Sequence, residues 1–300
     1  MKIVKLLLAP LLLFFIYACS DSDDHGFSDS NQNLVSIKKE YYTNGNLVSS
    51  EKRNFYKKKL IYIQYSDGSY DDIYYEENLI SRILEFDVNN QLEWTTEFNY
   101  DNLGRLIEKK VVPGPDNPIS VSRQKDITYN GNKITSELSW SDGGFMKNVI
   151  SLNASGLIAE NKFYYQDDSL MQFSNQEYSN GNLTKVVNKA SDGSVVSEAT
   201  INYSSESISE YYIYYSYLYG NEWKNNYYLT EQFGLEYRDF SMISEHYIRD
   251  YHLVDSQSNF SIDATYDYTF DSNGRITKQT ENGERSDGFT FKIVCSFEYR

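Results

Sequence analysis

One turn, written again and again, constrains this chain more than any other feature. Phe98-Asn99-Tyr100-Asp101-Asn102-Leu103-Gly104-Arg105-Leu106-Ile107 joins an aromatic strand end to an apolar strand start through Asx and Gly residues. The arrangement returns at Tyr42–Leu47, Tyr75–Leu79, Phe86–Leu92, Tyr129–Ile134, Leu152–Leu157, Tyr178–Leu183 and Phe270–Ile276. Asn-Gly between apolar runs is the strongest short-range hairpin signal, because a type I′ turn needs positive φ at both central residues. A second turn, Ser-Asp-Gly, falls between these copies at Ser66–Ser69, Ser141–Gly144, Ser191–Ser194 and Ser286–Gly288. Alternating turn classes predict an up-and-down antiparallel meander of hairpins.

The intervening segments have the matching period. In Ile262 to Asp271 every second residue is apolar or aromatic and the others are Asp or Thr; Trp94, Thr96, Phe98 and Tyr100 repeat the pattern. Such alternation predicts one buried and one wet face. The 29 Tyr and 16 Phe among 300 residues favour strands too, since aromatic side chains suit a pleated, half-buried surface. The fold class expected is therefore all-β: an elongated, twisted meander forming an open or spiralling sheet, or alternatively a partly closed β-barrel. Residues 34–300 read as a single domain, with an irregular aromatic-rich insertion at about 211–260. The loop Val112 to Pro118 holds three of the four prolines and interrupts a hairpin without marking a domain boundary.

The N-terminus reads as an address. Lys2 and Lys5 form a charged segment, and Leu6 to Ala18 form an apolar one too short to span a bilayer as a helix. Residues 1–18 are expected to be a signal peptide. Ile16-Tyr17-Ala18-Cys19 resembles the lipobox of bacterial lipoproteins, which implies that Cys19 becomes a lipidated mature N-terminus. Several acyl chains, at about 0.8 kcal/mol per buried CH₂, hold a protein at a membrane stably. Ser20-Asp21-Ser22-Asp23-Asp24 is similar to the acidic surface-export signal of Bacteroidota lipoproteins, and residues 19–33 read as the lipidated Cys and a flexible acidic tether. With Cys19 so used, Cys295 has no partner for an intrachain disulfide; its apolar setting predicts a small buried hydrophobe.

The repeats themselves resemble the YD repeats of the RHS superfamily, best at Tyr100-Asp101-Asn102-Leu103-Gly104-Arg105-Leu106 and Phe270-Asp271-Ser272-Asn273-Gly274-Arg275-Ile276. The layout as a whole resembles Bacteroidota surface lipoproteins built from degenerate YD-like units. That resemblance implies an outer-membrane lipoprotein exposed on the cell surface.

Chemistry is sparsely written. Only His25, His246 and His252 are present, with Glu245, Asp250 and Asp255 near the last two, and no nucleophile elbow, His-Glu-x-x-His or phosphate-cradling glycine loop occurs. Neither a cofactor nor a metal is expected, and no catalytic residue can be named. A net charge of −15 without a basic run excludes nucleic acid as a partner. The most unusual stretch is Tyr211 to Trp223, whose aromatics point to both faces of any strand. It reads either as a central strand covered on both sides or as an aromatic platform for a carbohydrate or peptide, and Tyr214, Tyr217, Trp223 and Tyr228 are the candidate platform residues. The expected function is a non-enzymatic scaffold or binding module, membrane-bound through its N-terminal lipid and taking a carbohydrate or protein ligand. The alternatives are a glycan-binding accessory protein of a polysaccharide-uptake system and a hydrolase with two convergent carboxylates or both late histidines in one cleft.

Overall fold

The turns take the left-handed backbone that their residues permit. Asn44 and Gly45 have φ of 48° and 80°, and Asn180 and Gly181 have 51° and 76°. In the longer turns Gly104 and Gly274, at 75° and 79°, close a loop whose first residue is Asp101 or Asp271. The computed structural model describes residues 34–57, 59–115, 117, 121–207 and 246–300. Those turns link β1 (Leu34–Thr43), β2 (Asn46–Tyr56), β3 (Lys59–Tyr65), β4 (Tyr70–Glu76), β5 (Leu79–Phe86), β6 (Leu92–Tyr100), β7 (Leu106–Pro113), β8 (Arg123–Asn130) and β9 (Lys133–Trp140). The chain continues through β10 (Phe145–Leu152), β11 (Ile158–Tyr164), β12 (Leu170–Ser179), β13 (Asn182–Ala190), β14 (Val195–Ser207), β15 (His246–Asp255), β16 (Phe260–Phe270), β17 (Ile276–Arg285) and β18 (Thr290–Tyr299). Thus β15 and the start of β16 lie inside the stretch read as irregular.

Each strand pairs antiparallel with the next, as the turn pattern predicts, and β1 also pairs with β18 from Leu34↔Tyr299 to Thr43↔Phe291. The meander is therefore a closed, eighteen-stranded barrel, the second of the two forms expected. Closure leaves no free sheet edge to template aggregation.

Turn chemistry sorts by end. Alternate turns of a meander lie at opposite ends of the barrel, and all four Ser-Asp-Gly turns follow odd-numbered strands. The turns after Tyr75, Tyr100, Tyr129, Leu152, Tyr178 and Phe270 all follow even-numbered ones; those at Asn44-Gly45 and Asp87–Asn90 are the exceptions. One end is thus a Ser-Asp-Gly end and the other a tyrosine end.

A round ring of eighteen strands would leave an aqueous channel. Here Leu106, Ile150, Leu183, Ile248 and Ile276 are fully buried, and inward side chains from around the ring form one large cluster, with Tyr247 and Ile276 in a smaller one beside it. At roughly 1.5–3 kcal/mol per buried aliphatic side chain, that face is the main source of stability. Facing out are Arg82, Glu97, Lys110, Asp126, Glu137, Asp263 and Asp267, all exposed. The apolar side chains that face out on strands, such as Ile61, Ile107 and Val254, are scattered and form no belt among the described residues.

Candidate functional site

The residues that carry the repeat resemblance have structural work. The Asp101 carboxylate accepts from the backbone N–H of Leu103 and of Arg105, both at 2.9 Å, and from Arg105 Nε at 2.7 Å. The same guanidinium lies 4.4 Å from the centre of the Tyr129 ring, and the Tyr129 hydroxyl donates to the Leu106 carbonyl at 2.9 Å. Asp271, Arg275, Tyr299 and Ile276 reproduce the arrangement, with Arg275 4.5 Å from the Tyr299 ring and the Tyr299 hydroxyl donating to the Ile276 carbonyl at 3.0 Å. Hydrogen bonds from the Arg275 side chain hold the Asp271 carboxyl below the usual carboxylate range. Tyr75, Tyr203 and Tyr268 likewise donate to the carbonyls of Leu60, Leu183 and Ile248. Each such tyrosine locks one hairpin onto the aliphatic residue that opened it, so the motif specifies assembly.

Of the residues singled out in the sequence, Cys19, Tyr214, Tyr217, Trp223 and Tyr228 lie outside the described residues. In sequence the four aromatics fall between Ser207, which closes β14, and His246, which opens β15. The histidines have separate partners. His246 Nδ1 lies 3.0 Å from Asn182 Nδ2, while His252 Nδ1 lies 2.7 Å from Asp263 Oδ1 on the outer face. No group of three metal-ligating side chains occurs among the described residues. Cys295 is buried on the inner face, where burial pushes its thiol up to about 11.

A cleft of about 700 Å³ crosses β15 to β18 on the outer face near the Ser-Asp-Gly end. Two rungs of aligned residues form its walls: Asp250, Thr265, Asn282 and Lys292, and then His252, Asp263, Glu284 and Thr290. Carboxylates, an amide, hydroxyls and an ammonium alternate along it, a lining that suits a hydroxyl-rich ligand laid across the strands. No local sequence pattern marks the cleft, because its residues come from four strands and meet only through register.

The inner face also carries charge, which the alternation rule did not foresee. Glu51 accepts from Arg53 at 2.7 Å, and the Tyr65 hydroxyl donates to Asp71 at 2.7 Å. Burial pushes the Asp71 carboxyl up to about 6, against the lowering effect of Tyr65, and raises Glu85 as well. Lys39, Lys109, Arg123 and Lys125 share this face, as the register of each with an inward neighbour requires.

No family model matches the sequence, and no curated protein matches it either. Among solved structures it is similar to a porin-like protein from Bacteroides uniformis, at 11% identity over 89% of this chain and 96% of that one, with a TM-score of 0.34. A porin-like protein from Bacteroides vulgatus gives 13% identity over 90% and 99%, with a TM-score of 0.38. The complex TcdB2-TccC3-Cdc42 gives 8% identity over 84% of this chain but 14% of that one, with a TM-score of 0.23. Likeness at this level supports no functional statement.

Proposed function

We propose that this protein is a non-enzymatic binding module of the cell envelope: a water-facing barrel held at the outer membrane by a lipid on Cys19 and displayed on the cell surface. The observation that carries the reading is the direction of the alternation. A barrel that spans a membrane turns apolar side chains outward, and an Arg or Lys on its lipid face costs about 2–4 kcal/mol at mid-depth, an Asp or Glu less. Arg82, Glu97, Lys110, Asp126, Glu137, Asp263 and Asp267 all face out, so burying this surface in lipid would cost an amount comparable with a domain's whole net stability. The barrel belongs in water, and the lipidated Cys is the membrane attachment. Growth of expressing cells on labelled palmitate tests this directly: the intact protein takes up label and is shaved from whole cells by added protease, and Cys19→Ala takes up none. An unlabelled wild-type protein would sink the reading.

The outer cleft favours one refinement, a glycan-binding accessory role. Its hydrogen-bonding walls offer partners for sugar hydroxyls. A glycan array with no bound saccharide would remove that role and leave the anchored scaffold.

A further inference from the structure

The inner rim of the Ser-Asp-Gly end gathers cations and indoles whose reading as a site rests on the binding-module reading above. Arg123 opens β8 and is half-buried on the inner face. Its guanidinium lies 5.6 Å from the centre of the Trp94 ring, and its direct register partner on the other side is Trp140. The Trp140 ring in turn lies over Gly144, where an added Cβ would come within 2.9 Å of it.

The arginines of this protein that lie over aromatic rings differ in one respect. Arg105, Arg275 and Arg285 each keep an aspartate, namely Asp101, Asp271 and Asp287. Arg82 lies over Tyr74 on the exposed outer face, where water solvates it. Arg123 is partly withdrawn from water yet makes no ion pair or hydrogen bond among the described residues. One rung further in, Lys109 and Lys125 stand directly opposite each other on the same face. A chain of net charge −15 thus gathers three cations on one inner patch, and two of them, Lys109 and Arg123, act against the burial that raises the Glu85 carboxyl.

We propose that Trp94, Arg123 and Trp140 form a binding site for a carboxylate-bearing saccharide, a uronate unit of an acidic glycan. A planar guanidinium presents a fork that matches a carboxylate bidentately, and indole faces give contact area to the apolar face of a sugar ring. Lys109 and Lys125 add attraction for the same charge.

Titration of the full-length protein with trigalacturonate, followed by tryptophan fluorescence and calorimetry, tests the site. Saturable binding is expected, at least tenfold weaker for Arg123→Gln and several-fold weaker for Trp140→Phe. The fully methyl-esterified trimer, which needs no variant and so no assumption about folding, should also bind at least tenfold more weakly. Three results overturn the proposal: no binding by the wild-type protein, equal affinity for acid and ester, or unchanged affinity in Arg123→Gln. Acetate binding as tightly as trigalacturonate would overturn the saccharide assignment as well. A protein that is acylated and surface-exposed but ignores trigalacturonate removes this site alone, whereas an unacylated one removes the reading beneath it.

Discussion

At the scale of single residues, the tyrosines carry a differential prediction. Tyr129 donates to the Leu106 carbonyl, whereas the Tyr100 hydroxyl, which occupies the equivalent place in its own hairpin, is buried with no partner among the described residues. A typical hydrogen bond contributes about 1 kcal/mol net, and a buried unpaired hydroxyl costs a comparable amount. Tyr129→Phe should therefore lower the stability read by urea unfolding by about 1 kcal/mol, and Tyr100→Phe should leave it unchanged or raise it. Asp71 gives the pH dependence. Its carboxyl titrates near 6 when folded, above the ordinary unfolded range, so the folded state holds a proton that the unfolded chain has released. Stability contributed by this group accordingly falls as pH rises from about 4 to about 6. Asp71→Asn should flatten that slope and add about 1–2 kcal/mol at pH 7, discounted for the part of the carboxyl that water still screens. The Asp-x-x-Gly-Arg turn was legible at this scale because its partners lie within five residues. Where each tyrosine hydroxyl goes was not, since the receiving carbonyl is 15 to 23 residues away.

Strands and turns were the most legible level. Gly and Asx punctuation gave the hairpins, and period-2 alternation in Ile262 to Asp271 gave the buried face, which the structure bears out at Ala264 and Tyr266, with Tyr268 half-buried and Phe270 exposed at the strand end. Ring closure was hidden for a physical reason: the β1–β18 seam joins opposite ends of the domain, and nothing in either strand distinguishes a partner in sequence from a partner across a seam. The charged inner face was hidden because Glu51, Arg53, Asp71 and Glu85 interrupt the apolar alternation, and strand periodicity alone places charges outside. The seam is testable through a residue already there. Cys295 faces Lys39 in direct register, so Lys39→Cys should form a disulfide with it after oxidation, visible as faster migration on a non-reducing gel. Crosslinking residues so far apart in sequence stabilises by up to about 5 kcal/mol when the geometry is unstrained. A reduced, unshifted protein under the same oxidant would mean that β1 and β18 do not pair.

The whole molecule is defined by which way its alternation points. Eighteen antiparallel strands in a closed ring invite comparison with membrane pores, yet the charged rungs face outward and the aliphatic and tyrosine rungs face inward. The strand count follows from the number of repeated hairpins; the environment follows from the residue chosen at each second position. On the proposed function, attachment to a membrane rests with Cys19 and recognition with the outer cleft and the inner rim. Solubility of the protein expressed from Ser20 onward tests this most directly. Size-exclusion chromatography in detergent-free buffer should give a soluble, non-aggregated species that fails to float with lipid vesicles. A protein that stays in solution only with detergent, and that inserts into planar bilayers to give stepwise conductance, would contradict the account.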